Sequence, residues 1–206
     1  FVKIENKEIL EVGPGTGNLT QYILKKNPKK MHVIEKDNDL CLILNEKFND
    51  KVNIINNDIL KVSEDAISQS KLTVFGNLPY NISTEILSKW ITNSDKEFWF
   101  DKLILMFQKE VADRIIAKSG TSNYGRLSIL SSWKLNIEKI IDIKPESFLP
   151  KPKINSSLLV FSPKKEFFNL KNPKNLEMIT RVFFSQRRKM IKKPFNQIFN
   201  GNNDLL

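Results

Sequence analysis

Short apolar runs alternate with longer amphipathic runs along the first part of the chain. They predict strands at 8–12, 32–35, 52–56, 72–76 and 102–107, and helices at 17–26, 38–48, 82–92 and 109–117. Alternation of this kind is typical of a mainly parallel sheet with helices on both faces. The pattern therefore predicts an α/β fold.

The pattern changes in the last third of the chain. Two further β-type runs, 137–143 and 157–161, lie close enough in sequence to form an antiparallel pair. The composition becomes polar after Pro163, and a long helical run is predicted from about Pro173 to Ile191. We therefore predict one domain over 1–163 and part of a basic helical domain over 164–206.

Charge is distributed unevenly between these two parts. The chain has 33 basic and 23 acidic residues, but residues 1–133 carry a net charge of only +1 and residues 134–206 carry +9. A near-neutral half joined to a basic half is typical of chemistry beside a phosphate-binding surface. The alternative is a solvated, lysine-rich surface.

The scarcity of cysteine and histidine and the lack of long apolar runs disfavour several classes of protein. Its only cysteine, Cys41, cannot form an internal disulfide, and a single histidine, His32, disfavours zinc sites and histidine-based triads. No apolar run approaches the about 18 residues that a membrane span needs. We expect a cytoplasmic monomer without a metal or a membrane partner.

A glycine-rich loop follows the first predicted strand. Gly13, Gly15 and Gly17 have the spacing G-x-G-x-G, which allows a tight turn and close approach of a ligand. Glu35 ends the next strand, 22 residues after Gly13, where a carboxylate can hold ribose hydroxyls. Asp58 follows the third strand and could accept a hydrogen bond from an adenine. Each carboxylate alone could instead be a helix cap or a surface charge.

The tetrapeptide Asn77-Leu78-Pro79-Tyr80 follows the fourth predicted strand. It suits methylation of an exocyclic amino group on a nucleobase, a poor nucleophile because its lone pair is delocalised into the ring. The amide oxygen of Asn77 and a backbone carbonyl can accept hydrogen bonds from that group and favour a pyramidal nitrogen. Tyr80 offers a flat face on which a base can stack. A simple β-turn is the structural alternative.

Several motifs together resemble the KsgA family of small-subunit rRNA adenine dimethyltransferases. In family order they cover nearly the whole chain, at 11–17, 33–35, 57–58, 75–84, 107–112, 124–128, 148–153 and 185–189. The resemblance implies a class I, Rossmann-like methyltransferase fold with a terminal antiparallel hairpin. It also implies S-adenosyl-L-methionine as methyl donor and, as target, N6 of two adjacent adenines near the 3′ end of the rRNA in a pre-30S particle.

The resemblance also implies roles for individual residues. The amino group of the target adenine is held by Asn77 and a carbonyl of Leu78 or Pro79, and the base stacks on Tyr80 and Phe148. The expected cofactor-binding residues are Glu11, Gly13, Pro14, Gly15, Thr16, Gly17, Glu35, Lys36, Asp58, Ile59 and Asn77. The expected RNA-binding residues are Arg126, Lys151, Lys153, Arg187, Arg188, Lys189, Lys192 and Lys193. The last five are expected to bind phosphates because they form a dense basic cluster, for which a solvated helix end is the alternative.

Three other functions remain open at this point. A nicotinamide oxidoreductase would share the glycine loop and Glu35 but has no need of the tetrapeptide at 77–80. A large-subunit rRNA adenine methyltransferase of the macrolide-resistance type shares that tetrapeptide. A ribosome-assembly factor could keep the fold without catalysis. Because the chain starts at Phe1, just before the first strand, and lacks the family's amino-terminal segment, we also expect it to be a piece of a longer protein.

Overall fold

Seven strands form one sheet in the computed structural model, which describes residues 2–93, 97–185 and 190–199. The strands are β1 (Glu8–Val12), β2 (Lys30–Glu35), β3 (Asn53–Asn56), β4 (Leu72–Gly76), β5 (Phe100–Gln108), β6 (Leu135–Ile143) and β7 (Ser156–Pro163). Their order is β3-β2-β1-β4-β5-β7-β6. Strands β1 to β5 are parallel, and β7 runs antiparallel to both β5 and β6. The predicted mainly parallel sheet with a terminal antiparallel pair is confirmed.

Seven α-helices of the described ranges accompany the sheet. They are α1 (Asn18–Leu24), α2 (Asn38–Phe48), α3 (Ser83–Asn93), α4 (Lys109–Ile115), α5 (Arg126–Lys134), α6 (Pro173–Ser185) and α7 (Lys192–Phe199). The predicted helices α1 to α4 exist, although α1 and α4 are shorter than expected. Helix α6 packs against α3, α5 and α7.

The core lies on both faces of the sheet because side chains alternate along each strand. In β1, Ile9 joins an apolar cluster with Ile23 of α1 and Leu44 of α2. The next residue, Leu10, joins a larger cluster on the other face that includes Trp90 of α3. Strand β1 is therefore buried on both sides, as expected for a central parallel strand. Glu11 points to the same side of the sheet as Ile9, towards α1.

The observed helices differ from the predicted ones in two places. Helix α5 was not predicted, because its sequence contains three serines and lacks a regular apolar stripe; it forms where it packs between α3, α4 and α6. The single helix expected from about Pro173 to Ile191 is wrong at its end. Helix α6 ends at Ser185, and Met190 and Ile191 lie outside any helix. In one long helix Pro194 could not donate a hydrogen bond to the Met190 carbonyl, but in the first turn of α7 it needs no such partner.

The strand order places a crevice between β1 and β4. From β1 the chain moves outward to β2 and β3, then returns to β4 on the other side of β1. The loops after β1 and β4 consequently lead away in opposite directions from the carboxyl edge of the sheet. Open α/β sheets bind ligands at such a reversal point.

Candidate active site

The strand register brings three of the predicted site loops to one edge of the sheet. Val12, the last residue of β1, pairs with Ile34 of β2 and with Gly76 of β4. The N–H of Gly13 continues this pattern and donates to the Ile34 carbonyl at 3.0 Å. The glycine loop, Glu35 and Asn77 are therefore immediate neighbours.

The glycine loop depends on backbone angles that favour glycine. Gly13, Gly15 and Gly17 have φ angles of +68°, +56° and +77°. A Cβ atom on Gly17 would lie 2.4 Å from the Phe48 ring, so this glycine also allows α1 and α2 to pack closely. A Cβ on Gly15 would face open space. The loop thus leaves an open surface where a ligand can approach its backbone.

The carboxylate of Glu35 holds the glycine loop in place. It accepts hydrogen bonds from the backbone N–H groups of Gly15 at 3.2 Å, Lys36 at 2.8 Å and Asp37 at 3.1 Å. The residue is only 9% exposed. Two carboxylate oxygens offer about four acceptor positions, so capacity remains for a ligand hydroxyl. Glu35 therefore combines a structural role with an open acceptor site.

Lys36 and Asp58 form an ion pair beside Glu35. The Lys36 Nζ and Asp58 Oδ2 atoms are 2.9 Å apart, and the Leu60 N–H donates to Asp58 Oδ1 at 3.0 Å. The hydrogen bond from Lys36, followed by that from Leu60, lowers the pKa of Asp58. Asp58 is therefore an ionised acceptor, and the neighbouring Ile59 is buried in the core.

Glu11 is the most deeply buried carboxylate of the site. It is 2% exposed and accepts a hydrogen bond from Thr20 Oγ1 on α1 at 2.7 Å. Burial raises the pKa of Glu11 to about 7, and the Thr20 hydroxyl opposes this shift. Its side chain points to the α1 side of the sheet, so this hydrogen bond ties β1 to the helix that follows the glycine loop.

The loop after β4 exposes the amide of Asn77 and buries Leu78, which is 1% exposed. The Pro79 carbonyl already accepts N–H groups from Ile82 at 3.1 Å and Ser83 at 3.0 Å at the start of α3. Within the described residues, the Leu78 carbonyl accepts no hydrogen bond. The sequence left open whether the carbonyl of Leu78 or that of Pro79 holds the target amino group. In the structure, the Leu78 carbonyl is the one available to a ligand.

Tyr80 is held at two points, and Phe148 is held less tightly. The Tyr80 carbonyl accepts from Ser83 Oγ at 3.2 Å, and the Tyr80 hydroxyl lies 2.8 Å from Ser156 Oγ on β7. Phe148 is half-buried in the loop between β6 and β7, beside the fully exposed Leu149. In the described part of the chain, Tyr80 and Phe148 make no ring contact with each other.

Comparison with known proteins places this geometry in one family. The model of the family described as ribosomal RNA adenine dimethylase matches residues 2–206. The chain belongs to the ribosomal RNA adenine dimethylase family. It is 70% identical over 202 residues to ribosomal RNA small subunit methyltransferase A of Pelagibacter ubique, covering 98% of this chain and 77% of that protein. The protein of the same name from a Wolbachia strain is 42% identical over 206 residues, with 98% and 75% covered.

Solved structures agree with this family and with the methyltransferase fold. A dimethyladenosine transferase from Plasmodium falciparum superposes with a TM-score of 0.80 at 31% identity, covering 96% of this chain and 71% of that one. The 23S rRNA methyltransferase ErmE has a TM-score of 0.69 at 20% identity, with 97% and 79% covered, and this likeness bears on the fold alone. The chain is therefore a methyltransferase, and the nicotinamide alternative is set aside.

The predicted RNA-binding residues are spread over several surfaces of this dimethylase fold. Arg126, at the start of α5, forms an ion pair with Glu177 of α6. Lys151, in the loop that carries Phe148, pairs with Glu146 at 2.7 Å, and Lys153 of the same loop is exposed. Lys192 and Lys193 are exposed at the start of α7, and Arg187, Arg188 and Lys189 lie outside the described residues.

Three site residues were missed by the sequence analysis. Ser83 and Ser156 hold Tyr80, and Thr20 holds Glu11. Thr20 lies in the predicted helix after the glycine loop, so its proximity to β1 could have been inferred. Ser156 is separated from Tyr80 by 76 residues, and no local pattern could have revealed that contact.

The residues that the structure describes offer neither a membrane span nor a metal cluster. They contain no helix that is both long and apolar enough to cross a membrane. They also contain no group of three or more histidine, cysteine, aspartate or glutamate side chains arranged to hold a metal ion.

The buried Glu11 predicts how stability depends on pH. The pKa of Glu11 is about 7 in the folded state and 4.5 in a model peptide, so the folded state binds the proton more tightly than the unfolded state. The stability that the protonated Glu11 contributes is therefore complete below about pH 4.5 and is lost as pH rises through 7. The loss amounts to about 3 kcal/mol. Between pH 5 and pH 8, Glu11→Gln should lose less stability than the unmodified chain in denaturant unfolding. The exposed Glu46→Gln is the control, and an equal pH dependence for Glu11→Gln and the unmodified chain would contradict this assignment.

Proposed function

We propose that the chain carries the catalytic domain of an enzyme that dimethylates N6 of two adjacent adenines near the 3′ end of small-subunit rRNA, in the cytoplasm. The single observation that carries this proposal is the crevice at the carboxyl ends of β1 and β4. There the open glycine loop lies beside the exposed Asn77 amide and the Leu78 carbonyl, which accepts no hydrogen bond from the part of the chain that the structure describes. The names of the Pelagibacter ubique and Wolbachia relatives, both small-subunit methyltransferases, support the choice of substrate.

S-adenosyl-L-methionine fits the residues of this crevice. The open side of Gly15 admits a ligand against the loop backbone, and the free acceptor positions of Glu35 suit ribose hydroxyls. Asp58 can accept from the adenine amino group while Ile59 supplies apolar surface. The remaining residues proposed to line this site are Glu11, Gly13, Pro14, Thr16, Gly17, Lys36 and Asn77. The cofactor supplies an electrophilic methyl group on a positively charged sulfur.

The target adenine is activated by acceptors on the protein. In the first transfer, Asn77 Oδ1 and the Leu78 carbonyl take hydrogen bonds from the two N6 hydrogens, which favours a pyramidal nitrogen with a localised lone pair; in the second transfer one hydrogen remains for one of these acceptors. A bound cofactor would supply the methyl group to this lone pair, with its sulfur as the leaving group. Methylation makes the nitrogen acidic, so its proton leaves to water and no strong general base is needed.

The base reaches these acceptors only when it leaves its stack in the RNA. Tyr80 and Phe148 supply the faces on which the extruded adenine stacks, which offsets part of the cost of unstacking. Phe148 lies on the loop between β6 and β7, which leads to Ser156 beside the Tyr80 hydroxyl. Lys151 and Lys153 of the same loop are suited to contact phosphates beside the extruded base.

The basic surface of the chain suits a second contact with rRNA. Residues 164–206 belong to a region with high positive charge, and Lys192 and Lys193 are exposed there. We assign residues 1–163 to the catalytic domain and 164–206 to part of a domain that binds rRNA phosphates. Arg126 joins these parts through Glu177, so its contribution to RNA binding is indirect.

Transfer of labelled methyl groups tests the proposed substrate. The protein extended to full length should label small subunits that lack the modification, and digestion of their rRNA should yield N6,N6-dimethyladenosine. Large subunits are the control and should remain unlabelled. Label in large subunits alone would favour the macrolide-resistance alternative, and no label in either would favour the non-catalytic assembly factor.

A further inference from the structure

A buried serine on β7 contacts the tyrosine of the proposed base-binding slot. Ser156 is the first residue of β7, directly after the loop that carries Phe148. It is fully buried, and its Oγ lies 2.8 Å from the Tyr80 hydroxyl. This bond joins the loop that carries Tyr80 to the strand that follows the Phe148 loop, 76 residues further along the chain.

The bond adds a second fixed point to the Tyr80 side chain. The tyrosine backbone is already held by Ser83, whose Oγ donates to the Tyr80 carbonyl at 3.2 Å. A ring held only at its backbone can turn about two side-chain torsions, whereas a hydrogen bond at the hydroxyl fixes the direction of its long axis. Ser156 therefore sets where the flat face of Tyr80 lies.

Ser156 can serve as an anchor because strands on both sides hold it in place. It pairs with Gln108 of β5 and with Ile143 of β6. Just before it, the Asn155 carbonyl accepts the Lys109 N–H at 2.9 Å. The end of the β6–β7 loop is thus fixed, although the loop itself is exposed.

We propose that Ser156 is a positioning residue for methyl transfer, which orients Tyr80 so that an extruded adenine stacks with N6 directed at Asn77. This inference rests on the proposed stacking role of Tyr80. It predicts that loss of the hydrogen bond lowers kcat. It also predicts a small effect on KM for the ribosomal particle, because phosphate contacts dominate RNA affinity.

A double-mutant cycle in the full-length enzyme tests this inference. Ser156→Ala and Tyr80→Phe each remove one side of the bond while keeping the strand and the aromatic face. A net hydrogen bond corresponds to a factor of about 3 to 10. We expect each variant to lower kcat by such a factor, the double variant to lower it no further, and KM and cofactor affinity to stay within twofold.

The neighbouring Ser157 provides a matched control. It is also a fully buried serine of β7, but its hydroxyl donates to Asp142 at 2.6 Å and not to Tyr80. Ser157→Ala combined with Tyr80→Phe should give independent, multiplicative effects on kcat. Thermal unfolding of each variant gives the temperatures at which every variant is folded. Coupling between Ser156 and Tyr80 that appears in kcat at those temperatures reflects lost positioning and not lost stability.

The outcomes separate this inference from the proposed function. If Ser156→Ala leaves kcat unchanged, or if its effect multiplies independently with that of Tyr80→Phe, the positioning role is overturned. Tyr80→Ala removes the aromatic face and should lower kcat far more than Tyr80→Phe. If Tyr80→Ala lowers kcat but Ser156→Ala and Tyr80→Phe act independently, only the positioning role of Ser156 is wrong. If Tyr80→Ala keeps full activity, the stacking role of Tyr80 is wrong as well.

Discussion

Asn77→Ala should lower kcat for methyl transfer by a factor of about 10² or more in the full-length enzyme, the size of effect seen when a transition-state acceptor or donor is removed. The amide is exposed at the mouth of the crevice and makes no hydrogen bond within the described residues, so its removal disturbs little of the fold. Because the interaction grows as positive charge develops on N6, cofactor affinity should change only a few fold. Single-turnover transfer to small subunits measures the rate, and calorimetry measures the affinity.

Two further variants show whether position or mere polarity matters at this site. Asn77→Gln keeps the amide but moves it by about one methylene, and we expect most of the loss to remain because catalysis depends on ångström-scale placement. Asn45→Ala, at an exposed position of α2, should leave kcat unchanged. Normal turnover by Asn77→Ala would show that the adenine amino group is held by other residues.

Glu35→Ala should weaken binding of S-adenosylhomocysteine by a factor of about 10 to 150, equivalent to roughly 1.5–3 kcal/mol. The structure adds a cause beyond the lost ribose contact. Three backbone N–H groups, those of Gly15, Lys36 and Asp37, lose their acceptor in this variant. The glycine loop then loses the link from Gly15 to β2 and keeps only the backbone bond from Gly13 to Ile34, so part of the free energy of binding goes into ordering the loop.

Glu35→Gln is an intermediate case, since it carries no charge and keeps only one acceptor oxygen where the carboxylate uses two for Gly15, Lys36 and Asp37. We expect it to bind the cofactor product more tightly than Glu35→Ala and more weakly than the unmodified chain in calorimetry. Asp39→Asn, at an exposed position of the following helix, is the matched control. Unchanged affinity in Glu35→Ala, or tighter binding of NAD than of S-adenosylhomocysteine, would contradict the assigned cofactor site.

The sequence alone was sufficient to predict the sheet and the edge of the sheet at which the proposed active-site residues lie. Strands and helices could be predicted because burial on two faces requires apolar runs, and the glycines and Asn77 to Tyr80 directly follow such runs. Glu35 could be placed beside Gly13 because parallel strands end at one edge. The family motifs then identified methyl transfer to rRNA adenine, which the comparisons confirmed.

The tertiary structure decided features that depend on contacts between distant residues. Packing between three other helices formed α5, which its own serine-rich sequence does not predict. The Pro79 carbonyl accepts hydrogen bonds from the start of α3, so the Leu78 carbonyl is the one that remains available to a ligand. Burial raised the pKa of Glu11, and the folding of β7 beside the 77–80 loop brought Ser156 to Tyr80. Local sequence patterns carry periodicity and turn chemistry, but hydrogen-bond partners across the sheet exist only once the chain has folded.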